Sequence, residues 1–286
     1  MTADEGTRLA GVVGWPVRHS LSPVLHGFWL KAYRIDGLYA PLAVRKEDFS
    51  AALRGLALSG FRGVSVTLPH KQAAYALAHS VDADARAAGA VNLLLFRPDG
   101  AIEGFNTDAL GFAAGLVERD VSIEGTRTIL LGAGGAARAV TLALARLGAR
   151  AINVLNRNVA RARVLAHELA PFVKASLAAG DLGEWSELAP EAALVVNATS
   201  AGLKGAAPLD LRLEALSPRA VVCDIVYDPV ETELLRRARE RGLRTVDGLG
   251  MLMHQAVPAF DAFFGVRPQV TADLRRELER ALGGRA

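Results

Sequence analysis

Three short clusters in the first third of the chain carry residue types that could do chemistry. Ser20 and Ser22 stand two apart at the start of a helix-forming stretch. Two hydroxyls so placed can donate to an anion such as a carboxylate. Ser22 equally reads as an N-cap, with Pro23 in the first turn behind it. Thr67 closes an apolar run, and Lys71 follows Pro69, which puts an ammonium at a strand's end on a stiffened loop. A lone lysine otherwise reads as surface charge. Asn106, Thr107 and Asp108 follow Gly104 and Phe105, and read either as helix caps or as part of a site. Together the clusters supply an ammonium, a carboxylate, hydroxyls and an amide. That set is suited to reducing a carbonyl on a small, polar, anionic substrate.

A fourth stretch points to the reductant. The apolar run 128–131 leads straight into Gly132-Ala133-Gly134-Gly135-Ala136-Ala137, a G-x-G-x-x-A pattern between an expected strand and an expected helix. Gly132 permits the tight turn, Gly134 lets backbone approach a pyrophosphate, and Ala137 lets the helix pack close to the strand. The helix N-terminus then offers unpaired N–H groups and partial positive charge. An NAD site wants a carboxylate at the end of the next strand, about 20 residues on. Here that strand ends in Asn156-Arg157-Asn158, with Arg161 one helical turn later and no carboxylate before Glu168. Two guanidiniums suit a 2′-phosphate, so the expected cofactor is NADP; the alternative is that both are a solvated helix face.

The elements that must position these groups follow from pattern. The chain has 286 residues, which favours about two domains. Hydrophobic residues are 51% and charged residues 22%, ordinary for a globular chain. The net charge of +3 is too small and dispersed for a nucleic-acid footprint. The single cysteine, Cys223, excludes an intramolecular disulfide and any multi-thiolate metal site, and no metal is expected. The acidic N-terminal stretch does not read as a signal peptide and no apolar run is long enough to span a membrane, so a cytoplasmic protein is expected.

In the first half, strands are expected at 9–13, 38–44, 61–66, 90–96 and 101–104, with helices at 22–34, 47–58, 70–78 and 82–87. Pro41 marks 38–44 as an edge strand or a bulge, and Pro98-Asp99-Gly100 marks a hairpin. In the second half, strands at 128–132, 151–156, 193–199, 220–226 and 245–248 alternate with helices at 135–147, 158–169 and 230–241. That beat implies βαβ units and a parallel sheet. Helices at 250–264 and 270–282 end the chain. The expected architecture is α/β with two domains. Residues 1–107 with 248–286 form a substrate-binding α/β domain, and 108–247 a Rossmann-like, doubly wound nucleotide domain.

The chain resembles the shikimate dehydrogenases. The strings that carry the resemblance are HSLSP (19–23), VTLPHK (66–71), AGAVNLL (88–94), GFNTDALG (104–111), GAGGAARA (132–139), NRNVARA (156–162), NATSAG (197–202), YDPVETELL (227–235) and DGLGMLMHQA (247–256). They cover nearly the whole chain in the family's order. The resemblance implies reversible NADPH-dependent reduction of 3-dehydroshikimate to shikimate, in the route to chorismate and the aromatic amino acids. It implies that Lys71 is the acid/base, paired with Asp108. Ser20 and Ser22 would bind the substrate carboxylate with Tyr227 nearby, and Thr67, Asn92, Asp108 and Gln255 would bind the ring hydroxyls. Gly132, Ala133, Gly134, Gly135 and Ala136 would hold the pyrophosphate. Asn156, Arg157, Asn158 and Arg161 would surround the 2′-phosphate, and Gly248 and Met251 would line the nicotinamide.

Asn158 stands where the family usually has Thr, and Ser65 where it often has Asn. Close alternatives are a quinate/shikimate dehydrogenase using NAD and a paralogue acting on an amino-substituted shikimate. The alternative from another class is a non-catalytic dinucleotide-binding sensor, against which an intact Lys71 and Asp108 argue. Monomer and homodimer are both open.

Overall fold

A computed structural model describes residues 6–284. The chain divides into two compact units. One takes in the chain up to Thr107 and again from Gln255 onward; the other is Asp108–His254. The return falls inside helix Leu249–Phe264. Residues 248–254, expected with the first domain, thus lie in the second unit.

The first unit is built on six strands: β1 (Arg8–Gly14), β2 (Gly37–Ala43), β3 (Phe61–Val66), β4 (Ser80–Val81), β5 (Leu93–Phe96) and β6 (Ile102–Phe105). Their order is β2-β1-β3-β5-β6-β4. β1 runs parallel to β2 and β3, and helices Ser22–Ala32 and Phe49–Leu58 make the crossovers. β5 turns antiparallel to β3, and β6 antiparallel to β5. The 93–105 hairpin is therefore present, closed by Arg97 N–H donating to Ala101 O at 2.9 Å. Pro41 lies in the edge strand, where one side of the ladder needs no N–H. β4 has no signal in the sequence pattern; two residues are too few to show a period.

One face of this sheet buries Val13, Val64, Val66 and Leu94 against Phe49 and Leu53 of helix Phe49–Leu58. Each such side chain contributes about 1.5–3 kcal/mol by leaving water. A second cluster is aromatic: His26, Trp29, Tyr39, Phe260, Phe263 and Phe264 pack ring against ring.

The second unit is an all-parallel sheet of β7 (Arg127–Leu131), β8 (Ala151–Leu155), β9 (Ser176–Gly180), β10 (Ala192–Asn197), β11 (Val221–Asp224) and β12 (Arg244–Val246). The order is β12-β11-β10-β7-β8-β9. The chain starts in the middle, winds outward to β9, returns beside β7 as β10 and winds outward the other way. This is the doubly wound order of dinucleotide-binding folds, with its switch point between β7 and β10. Because helices cover such sheets, the strands are continuous apolar runs: Ile129–Leu131, Leu194–Val196 and Val221–Cys223 are all buried.

Two elements of this unit escape the sequence pattern. β9 is Ser-Leu-Ala-Ala-Gly, an edge strand without β-branched or aromatic residues, so it carries no propensity signal. Helix Asp108–Glu118 contains Gly111 and Gly115, each costing about 1 kcal/mol of helix propensity relative to alanine. Gly115 is needed there: a Cβ would lie 3.1 Å from Met251 N and 3.2 Å from Gly250 C. Among the described residues no helix is long and apolar enough to cross a membrane.

Candidate active site

In the first unit the candidate substrate groups leave the carboxyl ends of β1 and β3, where open α/β sheets place their ligands. Ser20 follows β1. Its Oγ accepts the Ser22 N–H at 3.2 Å, while its own N–H donates to Val17 O at 3.0 Å. Ser22 is not the N-cap that its position allows. It is already the first residue of helix Ser22–Ala32; Leu21 occupies the cap position and makes no side-chain cap bond. The Ser20 hydroxyl does the local work instead, and Ser22 is nearly buried.

Thr67 follows β3, its N–H donating to Val13 O at 2.9 Å and its carbonyl accepting the His70 N–H at 2.9 Å. This tight turn delivers Lys71 as the first residue of helix Lys71–Leu77. His70 anchors the turn. It is fully buried, stacks on Phe49 at 4.5 Å, and its Nε2 lies 2.7 Å from Val44 O. A carbonyl only accepts, so the proton of the His70 ring is on Nε2.

A second group gathers around Asn92, which is 4% exposed. Its Nδ2 donates to Thr107 Oγ1 at 3.0 Å and to Gln255 Oε1 at 3.4 Å, and its Oδ1 accepts the Thr107 N–H at 2.9 Å. Thr107 Oγ1 donates to Gln255 O at 2.8 Å. Two residues 163 apart in sequence are thus brought side by side. By sequence Thr107 is only a cap or a neighbour of the site, yet it is the hinge of this network. Asn106 is structural, its Nδ2 donating to Ala90 O at 2.9 Å. Asp108 is buried and opens helix Asp108–Glu118 in the second unit, where a carboxylate suits the helix dipole.

In the second unit the glycine-rich turn follows β7. Gly132 has φ +109°, and a Cβ there would lie 2.9 Å from Thr199 Cγ2 and 3.0 Å from Ala198 O. Only glycine makes this turn without strain. Gly134 caps helix Gly135–Arg146. A Cβ on Gly134 or Gly135 would meet nothing within 4 Å, so space lies open beside the backbone at this helix N-terminus. Ala137 is fully buried, as close helix packing requires. The residues fit a dinucleotide pyrophosphate, with Ala133 and Ala136 completing the turn.

At the end of β8, Asn156 Nδ2 donates to Asn158 O at 2.9 Å. Asn158 is the N-cap of helix Val159–Leu169, its Oδ1 accepting the Arg161 N–H at 3.3 Å. Its side chain therefore shapes the turn that carries Arg157 and Arg161, both exposed. A narrow crevice in this unit is lined by Phe112, Leu116, Asp224, Ile225, Gly248 and Met251. A Cβ on Gly248 would lie 2.4 Å from Ile225 O, so the two backbones touch. Cys223, which also lines the crevice, is buried; burial, with Asp224 and Asp247 nearby, pushes its thiol well up, which leaves it protonated and inert. His254 pairs with Glu118 at 3.0 Å, a surface contact of this unit.

Sequence reasoning misses a buried polar network at the ends of β10 and β11. Asp224, Asn197 and Thr232 are all fully buried and joined by hydrogen bonds. The legible signal is an aspartate closing the apolar run Val221–Cys223, with Thr232 in cap position before helix Glu233–Glu240.

The doubly wound sheet with its open G-x-G-x-x-A turn, joined to a mixed α/β unit with clustered polar groups, defines a class: two-domain, dinucleotide-binding α/β proteins. Comparison with known proteins narrows it. A model of the shikimate dehydrogenase substrate-binding domain matches residues 12–94, and one of shikimate / quinate 5-dehydrogenase matches residues 115–207. The shikimate dehydrogenase (NADP(+)) of Methylobacterium radiotolerans is 51% identical over 285 residues, covering 97% of this chain and 99% of that protein. Quinate dehydrogenase from Corynebacterium glutamicum in complex with NAD has a TM-score of 0.88 at 31% identity, covering 97% of this chain and 99% of that one. Shikimate 5-dehydrogenase from Thermus thermophilus, in complex with NADP(H) and shikimate, has a TM-score of 0.83 at 36% identity, with the same coverage. The chain belongs to the shikimate dehydrogenase family.

Proposed function

We propose that the protein is an NADP-dependent shikimate dehydrogenase that interconverts 3-dehydroshikimate and shikimate in the cytoplasm. The observation that carries this reading is identity of 51% across both units to a relative named for that reaction and cofactor. Lys71, Asp108, Asn92 and Gln255 all stand at the matching positions of the motifs. The exposed Arg157 and Arg161 support NADP over NAD, since guanidiniums pair with a 2′-phosphate and no carboxylate stands at the end of β8.

When bound, the cofactor supplies or takes up the hydride at the ring carbon. The chain's residues do the rest. Ser20 and Ser22 donate hydrogen bonds to the substrate carboxylate, with Tyr227 assisting. Thr67, Asn92 and Gln255 hold the ring hydroxyls. The hydrogen bonds joining Asn92, Thr107 and Gln255 lock the two amides in one orientation, so little ordering remains to be done when substrate arrives. Lys71 donates a proton to the carbonyl oxygen as negative charge gathers there, and takes it back in the reverse direction. Asp108 is the second acid/base group of the family motif, buried at the start of its own helix.

The test is turnover of purified protein with shikimate or quinate, each with NADP⁺ or NAD⁺. Turnover confined to shikimate with NADP⁺ is the expected result. Equal turnover of quinate, or preference for NAD⁺, moves the protein to the quinate/shikimate branch. No turnover with any pair overturns the shikimate assignment and points to an altered substrate or a binding role.

A further inference from the structure

The buried network behind the crevice of the second unit has more organisation than a helix cap needs. β10 and β11 are parallel neighbours, with Asn197 in register with Asp224 at their carboxyl ends. Asp224 Oδ1 accepts Asn197 Nδ2 at 2.9 Å and the Val226 N–H at 3.0 Å, while Oδ2 accepts the Thr232 hydroxyl at 2.7 Å. Asn197 Oδ1 accepts both the N–H and the hydroxyl of Thr199, at 3.0 and 2.7 Å, and Nδ2 also reaches Ala201 O at 3.1 Å. Its carbonyl accepts the Ile225 N–H at 3.1 Å. Thr232 caps helix Glu233–Glu240 through the Leu235 N–H. One carboxylate thus ties down three segments: 197–201, 225–226 and the helix start at 232. Ile225 O in turn lies against Gly248.

A cap needs only a hydroxyl or an amide. A fully buried carboxylate costs several kcal/mol in lost hydration, and burial pushes its pKa up to about 6. All three of its partners donate, which suits the ionised form and leaves none of its bonds to chance. Replacing the group with an amide would set an N–H against the Thr232 hydroxyl or against the two other donors.

We propose that Asp224 is a positioning residue for the nicotinamide end of the cofactor site. Through Val226, Asn197 and Thr232 it fixes the 225–231 segment that carries Tyr227, and through Ile225 the backbone behind Gly248 and Met251. The proposal rests on the reading of Gly248 and Met251 as the lining of the nicotinamide, within the proposed function. It separates two halves of one ligand: the 2′-phosphoadenosine half, held by residues 132–161, and the nicotinamide half, held by residues that depend on Asp224.

The test compares NADPH with adenosine 2′,5′-bisphosphate, which lacks the nicotinamide. Binding of both is measured for the parent, Asp224→Asn and Thr232→Val, alongside steady-state turnover. In Asp224→Asn, NADPH is expected to bind about tenfold more weakly and kcat to fall about 10- to 100-fold, with bisphosphate affinity within about twofold of the parent. Thr232→Val, which removes one of the three donors, moves the same two readouts in the same direction by less. It carries the test if the aspartate variant does not fold. Parallel loss of both ligands would make the network merely structural and overturn the proposal, and so would NADPH binding and kcat that do not change. If the parent binds both ligands but turns over no substrate, the proposed function fails, while the ratio of the two affinities still reads the role of Asp224.

Discussion

The two units bury a titratable group in opposite ways. In the first, His26 lies stacked on Tyr39 at a centroid distance of 3.8 Å among Trp29, Phe260, Phe263 and Phe264. Its Nδ1 meets no hydrogen-bond partner among the described residues, and burial drives its pKa down to about 3. The imidazole is packed as a neutral aromatic ring. Beside it, the hydroxyls of Ser22 and Ser65 lie near enough to that of Tyr39 to offset part of the rise that burial imposes, yet none makes a well-formed bond to it. In the second unit, Asp224 is equally buried but surrounded by three donors. The first unit excludes charge from its core and keeps its charged candidate, Lys71, at a helix start by a strand end. The second accepts an internal charge where loops must be held.

The sharpest way to break this division is to remove the ammonium. Lys71→Ala is expected to lower kcat by about 10²–10⁴ with little change in KM for shikimate. An unchanged kcat would take the proton step away from the first unit. Next in size is the anion grip of the second unit. Arg157→Ala is expected to raise KM for NADP⁺ about 10- to 100-fold, as a charged hydrogen bond of about 1.5–3 kcal/mol is lost. Kinetics with NAD⁺ should not move; equal effects on both cofactors would deny Arg157 the 2′-phosphate. Gly248→Ala would thrust a methyl group to 2.4 Å from Ile225 O. The expected destabilisation is about 1–3 kcal/mol, read as a lowered Tm with hydrogen exchange rising around residues 225–248. A neutral outcome would mean that this backbone contact can relax.

The smallest effect tests the comparison directly. Below about pH 6.5 the unfolded chain protonates His26 while the folded chain does not, so its contribution to stability falls with pH until about 3. Asp224 has the opposite sign. Its folded pKa of about 6 is raised above the unfolded value, so the folded state gains stability as pH falls from 6 to 4. Each slope is at most about 1.4 kcal/mol per pH unit. Hydrogen exchange followed between pH 7 and 4 should show the first unit weakening while Asp224 holds up the second. Parallel behaviour of the two units, undiminished by Asp224→Asn, would erase the contrast.

Much of this molecule is legible as sequence. Alternation of apolar runs with helical stretches locates most strands of the second sheet, because strands buried on both faces must be apolar throughout. The glycine-rich turn is legible because few residues other than glycine tolerate the φ of Gly132. What escapes depends on partners remote in the chain. β9 is a strand only because β8 pairs with it. Helix Asp108–Glu118 keeps Gly115 because another helix segment crosses there. Ser22 reads as a cap, but the chain enters its helix one residue earlier, and Ser20 takes the amide.

The sequence by itself determined which chemical groups the protein has and which of them flank a strand or open a helix, since those choices rest on local backbone rules. Tertiary structure alone decided that Asn92, Thr107 and Gln255 share hydrogen bonds and that Asn197, Asp224 and Thr232 form one buried network. Hydrogen bonds between residues 8 to 163 apart exist only once packing has removed water from both ends, and no local pattern encodes that.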